Sequence, residues 1–423
     1  MTRKRIAIVG YGTAGQATAV LLSRDGHHVE VFERVATPGP VGAGFLLQPT
    51  GLQALWRMGL LDGVLKHGAV VERLFGDVPC GRAVMDMRYA TLDARLAGLG
   101  MQRGALFSIL ADAWDGHAAV QADTAIADVL DDGRTLLDQR GSRHGPFDLV
   151  VLADGAASSL RGVVARPSLD APYPWGALWC LLPRAHWPHM HELRQRYVAA
   201  RKMIGLLPVG TCPGDDQRKL SFFWSLPVAS FERWQADGVE TWKQEVAALW
   251  PEAAALLSGI ESPMHLARAR YRDTVMRDWH RGRVVLVGDA AHAMSPQLGQ
   301  GVNMALLDAL ALADALRGGA ALADALAHYQ RERRRHLRIY HVWSRWLTPM
   351  FQSDRELVAR LRDVALLPAG KLPVGRAHML RVLSGTQRGL FGQVALDPRF
   401  VDELGARVHG MARVSHGQSV PDA

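Results

Sequence analysis

The sequence predicts an α/β fold: a nucleotide-binding domain built on a parallel sheet, interrupted by a mainly antiparallel β-sheet domain and followed by C-terminal helices. Three observations carry this. A strand, a glycine turn, a helix and a second strand open the chain within its first 33 residues. Two later apolar runs, at 147–153 and 283–287, show almost no alternation, as expected of strands buried on both faces. Between them lies a stretch of aromatic-rich strands cut by Pro, Gly and Asp turns.

In chain order, strand 5–9 leads into a glycine turn at 10–15, a helix over 13–25 and a strand over 28–33, a βαβ opening. Helical patterns follow at 50–59, with Leu52, Leu55, Trp56 and Met58, and at 103–114. Strands are expected at 175–182, 202–208 and 219–226. After Gly301 a long helical region runs to about Trp346, broken at Gly318-Gly319 and closed by Pro349. The tail shows helical patches at 355–366 and 376–384. The expected boundaries are 1–75, 101–170 and 271–348 for the first domain, 76–100 and 171–270 for the second, and 349–423 for a C-terminal helical region.

Composition sets the outer limits. A chain of 423 residues suits two or three domains, and 48% hydrophobic with 21% charged residues is ordinary for a globular protein. Cys80, Cys180 and Cys212 are far apart, so neither a zinc site nor a dithiol centre is signalled, and a cytoplasmic location is expected. The apolar run after the charged N-terminus stops at Gly10, too short for a signal peptide, and no stretch is long enough for a transmembrane segment. The net charge of +8 admits nucleic acid or anionic lipid, but an arginine-rich, otherwise balanced surface is the favoured explanation, and no nucleic-acid partner is expected. The run Arg331-Glu332-Arg333-Arg334-Arg335 reads as the solvated face of a helix, without the aromatic ladder that nucleic acid would need. His186, His189 and His191 lack a carboxylate or cysteine to complete a metal set, so no metal is expected.

Two segments carry most of the chemistry. Gly10-Tyr11-Gly12-Thr13-Ala14-Gly15 matches G-x-G-x-x-G between a strand and a helix. Its glycines permit a tight turn, the approach of a pyrophosphate and close helix–strand packing, and the helix start supplies N–H groups to phosphate. Eighteen residues on, Glu33 ends the second strand, where a carboxylate accepts from a ribose diol; Arg34 follows it. This is a Rossmann-like signature that does not by itself separate NAD from FAD. The second segment runs from Gly282 through Gly288-Asp289 and His292 to Pro296, Gly299, Gly301, Val302 and Asn303. Asp289 stands at a strand's C-terminal end, suited to accept from sugar-alcohol hydroxyls, and a helix starting near Asn303 would favour negative charge.

Together with Asp154-Gly155-Ala156-Ala157-Ser158-Ser159-Leu160-Arg161, these segments resemble the class A, para-hydroxybenzoate hydroxylase-like, FAD-dependent monooxygenases. The resemblance covers roughly 1–45, 100–165 and 280–320. It implies a Rossmann-like FAD-binding domain, a substrate domain, and NADH or NADPH as a transient electron donor. It further implies that Asp289 contacts the ribityl chain, that Pro296 and the 299–303 backbone line the flavin ring, and that Asp154-Gly155 serve FAD and the pyridine nucleotide. Arg103, in Gln102-Arg103-Gly104, is the candidate for the ribityl or pyrophosphate part, and His292 is expected to be structural. The loop 42–49 resembles the one beside the flavin, so Gln48 is a candidate to face substrate. Trp175 and Trp224 are candidates for the pocket wall, with Trp179, Phe222 and Phe223 beside them.

The implied reaction uses NAD(P)H and O2 to hydroxylate or epoxidise a small apolar or aromatic substrate through a flavin C4a-hydroperoxide, with no side-chain nucleophile. Two other readings share the motifs: a flavoprotein reductase of isoprenoid-type double bonds and a non-catalytic flavin-binding module. A halogenase is disfavoured because no G-W-x-W-x-I-P segment occurs. The chain is expected to act as a monomer or homodimer.

Overall fold

The computed structural model describes residues 2–39, 42–116, 119–371 and 373–417. One part of the molecule is organised by a six-stranded sheet in the order His280–Arg281, Val284–Leu286, Leu149–Leu152, Arg5–Val9, His28–Phe32 and Val120–Gln121. All neighbours are parallel except the first pair. The unbroken apolar runs have their cause here, because Ile6, Ala7, Ile8, Val150, Val151 and Val285 are all fully buried, as in a sheet covered on both faces. Helices Thr13–Arg24 and Gly301–Arg317 pack on each other against this sheet.

A second, seven-stranded sheet runs in the order Ala267–Val275, Leu169–Pro183, Asp215–Pro227, Lys202–Cys212, Glu192–Val198, Arg73–Asp77 and Ala83–Arg88. It is antiparallel apart from the pairing of Glu192–Val198 with Arg73–Asp77. The sheet takes in 73–75 at one end and extends to Val275 at the other. A small three-stranded sheet of Gly44–Leu47, Gly98–Gln102 and Ala69–Val71 joins the two.

The seven-stranded sheet has two unlike faces, because side chains alternate along each strand. Leu178, Cys180, Phe222, Trp224 and Leu226 point to one side and pack under helix Phe231–Leu249. Trp179 and Phe223 point to the other, with ring centroids 5.1 Å apart.

Three sequence expectations are corrected. Helix Leu322–Phe351 runs through Pro349, two residues short of its end, so the N–H bond the proline forgoes falls in the last turn. The run 331–335 is not one solvated face: Arg333 is 5% exposed and turned inward. The tail holds, besides the two helices expected, a hairpin of Gln387–Arg388 with Gly392–Gln393 and a helix Pro398–Gly417.

Candidate cofactor and active site

The parallel strands end at one edge of the six-stranded sheet, where α/β sheets bind ligands. Gly10 takes φ +102° there, and its N–H donates to Phe32 O at 2.8 Å. A Cβ on Gly15 would stand 2.0 Å from Gly10 O, so that glycine is required for packing. A Cβ on Gly12 would meet nothing within 4 Å, so that glycine faces open space at the start of the helix carrying Thr13 and Ala14. The Glu33 carboxylate braces the turn, accepting from Tyr11 N at 2.8 Å and from Val35 N at 3.0 Å. Arg34 is exposed and lines a small hollow with Asp123 and Asp138.

Two further strand ends bring carboxylates to the same edge. Asp154 is largely buried, its pKa raised by that burial, and its Oδ1 has no hydrogen-bond partner. The turn Gly155-Ala156 is held by Arg161, whose Nη2 donates to Ala156 O at 2.6 Å. Nη1 of the same guanidinium donates to Thr274 Oγ1 at 2.7 Å on the other sheet. Asp289 is exposed and, among the described residues, makes no hydrogen bond through its side chain.

The turn that aims Asp289 is fixed from behind by a residue the sequence reading passed over. Asp308 is fully buried and uses both oxygens. Oδ2 accepts from Gly288 N at 2.8 Å and lies 2.6 Å from His292 Nε2, while Oδ1 accepts from Arg333 Nε at 2.6 Å. His292 is thus engaged in structure. Burial opposes ionisation of Asp308, but the neighbouring His292 and Arg333 outweigh it and hold its pKa down at about 2. The available signal was an aspartate inside the otherwise apolar run 304–313.

Helix Gly301–Arg317 begins beside Asp289, with Gly299 and Gly301 exposed and Pro296 and Val302 half-buried. Asn303 sews this helix start to the neighbouring strand. Its Oδ1 accepts from Gln48 N at 2.8 Å and its Nδ2 donates to Leu46 O at 3.2 Å. Its side chain is therefore spent on protein, leaving only the backbone to face a ligand.

Arg103 closes the cleft. Protein surrounds it closely enough that burial lowers its pKa, yet its side chain is open to solvent, which means that it stands inside a cavity. Among the described residues no carboxylate lies within ion-pair distance of it, although Asp289 and Tyr271 are close enough to favour its charge. Its backbone N–H, held at 2.9 Å by Ala43 O, fixes its position at the start of helix Arg103–Asp112.

The wall opposite is the Trp179 face of the seven-stranded sheet. Gly44 N donates to Ser221 Oγ at 3.2 Å and ties the sheet to the loop beside the cleft. Trp175 shares the parity of Trp179 and is 5% exposed. Trp179 Nε1 donates to Tyr271 Oη at 3.0 Å. Burial pushes the Tyr271 hydroxyl up to about 12, so it is neutral at ordinary pH. Two expected pocket residues are not here. Trp224 lies on the reverse face, 6.2 Å from the Trp242 ring, as strand alternation dictates. Gln48 is 1% exposed, and its Oε1 accepts from Tyr89 Oη at 2.6 Å, which turns it away from any cavity. Among the described residues no group of three or more His, Cys, Asp or Glu is disposed to hold a metal.

The donor set is that of a nucleotide–polyol cofactor: an open glycine turn, a buried carboxylate with one oxygen unpaired, an exposed carboxylate and a guanidinium without an ion-pair partner. A family model described as FAD binding domain matches residues 3–341. The chain belongs to this FAD-binding family.

Its relatives are flavoprotein monooxygenases of the para-hydroxybenzoate hydroxylase-like type. The 2-heptyl-3-hydroxy-4(1H)-quinolone synthase of Pseudomonas aeruginosa (strain UCBPP-PA14) is 30% identical over 73% of this chain and 79% of its own. The kynurenine 3-monooxygenase of Salinispora tropica is 28% identical over 93% of this chain and 88% of its own. The fold matches that of Klebsiella pneumoniae HpxO complexed with FAD and uric acid, with a TM-score of 0.77 at 22% identity over 90% of this chain and 97% of that one. This FAD-binding protein is accordingly an oxidoreductase, a monooxygenase that uses NAD(P)H to oxygenate a small organic substrate. Among the described residues no helix is long and apolar enough to cross a membrane.

Proposed function

We propose that the enzyme hydroxylates a planar aromatic substrate held between the flavin edge and the Trp179 face of the seven-stranded sheet. The observation that carries this is the pairing of that aromatic wall with a cleft in which the Arg103 guanidinium and the Asp289 carboxylate have no ion-pair partner among the described residues and Asp154 Oδ1 accepts no hydrogen bond.

The assignments follow from chemistry. The open turn at Gly12, with the N-terminus of the helix at Thr13, suits the pyrophosphate, and Glu33 with one lone pair free on each oxygen suits the ribose. Asp289 accepts from ribityl hydroxyls, and Asp154 with Gly155 takes a further polar group of the cofactor. Arg103 balances negative charge on the cofactor within the cleft. Pro296, Gly299, Gly301, Val302 and the Asn303 backbone line the ring, where the helix dipole favours an anion. FAD, when bound, accepts reducing equivalents from NADH or NADPH and activates dioxygen. The chain's own part is to orient, to exclude water and to position a proton. Trp175, Trp179 and Phe223 keep water out. Tyr271 accepts from Trp179, which leaves its own proton free to donate to a substrate oxygen. The three cysteines are unpaired, which suits a reducing cytoplasm.

The test is the visible spectrum of the purified protein, followed by anaerobic addition of NADH or NADPH and readmission of air. Flavin bands that bleach, return with oxygen and bleach faster with an aromatic ligand are the expected result. A protein that takes up no flavin would overturn the reading.

A further inference from the structure

The basic run at 331–335 divides on folding. Arg333 goes inward to Asp308, while Arg331, Arg334 and Arg335 remain exposed. Arg338 continues their line, and the same spacing leads on to Val342 and Trp346, which are 57% and 52% exposed. Steps of three and four residues place all of these on one face of helix Leu322–Phe351. The next helix, Glu356–Lys371, packs against it. This second helix presents Leu357, Leu361 and Val364 at 79%, 64% and 64% exposure, again at steps of four and three.

We propose that this two-helix face docks the enzyme peripherally on an anionic phospholipid surface. Large apolar side chains scattered singly over a surface need no explanation, but five exposed at helical spacing on two helices that pack together do. Its charge selects the occupant. Arg331, Arg334, Arg335 and Arg338 have no carboxylate within 4.0 Å among the described residues. The acids nearby are already engaged, Glu332 with Arg388 and Glu356 with Arg201, each at 2.8 Å. An apolar stripe flanked by uncompensated arginines is what an interfacial helix offers to anionic lipid. A nucleic acid would leave the apolar stripe in water. A second copy of the chain would cover the apolar stripe but bring the four arginines no uncommitted carboxylate from the same face, since Glu332 and Glu356 are already paired.

The test is co-sedimentation of the flavin-loaded enzyme with vesicles of phosphatidylcholine alone and of phosphatidylcholine mixed with phosphatidylglycerol. Binding is expected only to the mixed vesicles, and it should weaken as salt is raised. Arg334→Ser/Arg335→Ser/Arg338→Ser should lower that binding about a hundredfold, at about fivefold for each charge. Leu357→Glu/Leu361→Glu should abolish it by a different route, and both variants should keep wild-type flavin content. The proposal is overturned by an enzyme that pellets with neither vesicle or with both equally, or by variants that bind as the parent does. It also fails if the parent is a dimer that Leu361→Glu splits, or if it retains nucleic acid through the same arginines in place of lipid.

Discussion

Asp308 accepts the Gly288 N–H at 2.8 Å while its other oxygen holds Arg333 at 2.6 Å, so the turn that aims Asp289 hangs on a buried ion pair. Replacing Asp308 by Asn leaves the Arg333 guanidinium buried without its counter-charge. That change should cost about 3–5 kcal/mol, as breaking one side of a buried pair does. Urea denaturation of the flavin-free protein measures it, and a loss below about 1 kcal/mol would remove Asp308 from this role.

The same residue sets an acid limit. Its pKa is about 2 when folded against a model value of 3.8, so the folded state binds this proton more weakly than the unfolded one. Stability from this group is complete above pH about 4 and drains away as pH falls towards 2, on the order of 2 kcal/mol in all. Denaturant midpoints of wild type and Asp308→Asn should therefore converge as pH falls through that window; parallel curves would contradict it.

The glycine turn should separate folding from cofactor binding. Gly15→Ala puts a Cβ 2.0 Å from Gly10 O and should lower the melting temperature even without flavin. Gly12→Val enters open space, so it should fold normally and purify colourless. A yellow, stoichiometric Gly12→Val protein would place the pyrophosphate elsewhere.

Asp289→Ala should weaken FAD roughly tenfold to a hundredfold, the loss of a charged hydrogen-bond acceptor of about 1.5–3 kcal/mol. Its thermal stability without flavin should be unchanged, because the carboxylate has no protein partner among the described residues. Flavin retained through dialysis at wild-type affinity would refute the assignment.

The two faces of the seven-stranded sheet should answer differently to mutation. Trp224→Ala should cost about 3–5 kcal/mol of stability, since it empties the core under helix Phe231–Leu249. Trp179→Phe removes the donor to Tyr271 and should instead lower substrate-stimulated kcat/KM up to about tenfold, with stability nearly kept. The reverse pattern would exchange the two faces.

What could be read from the sequence follows from where the signals lie. The strands at 5–9, 149–152 and 284–286 were legible because strands buried on both faces are apolar throughout, and the glycine turn because its chemistry is local. Trp224 was misplaced because alternation gives two faces but not which of them a helix covers; helix Phe231–Leu249 covers the face that carries Trp224. Gln48 was misread because its partner Tyr89 stands 41 residues away. Arg333 and Asp308 carry charges that look solvated in a one-dimensional pattern and prove buried once they find each other across two helices. Tyr271 escaped notice because no local motif marks a hydroxyl whose importance comes from Trp179 on the neighbouring strand.

Helix Leu322–Phe351 has 30 residues and so spans about 45 Å. Near one end Tyr329 Oη donates to Leu286 O at 3.0 Å in the nucleotide sheet. Further along, Ser344 Oγ lies 2.7 Å from Ser295 Oγ, next to Pro296. At the far end the Phe351 ring sits 4.9 Å from Tyr197 in the other sheet. One rod thus measures out the separation between the two halves of the molecule, and its phase matters as much as its length. A single residue inserted between Arg333 and Ser344 would turn everything beyond it by about 100° and advance it by about 1.5 Å. Every contact on one side of the insertion would then be out of step with those on the other, so this helix should tolerate substitution far better than insertion or deletion.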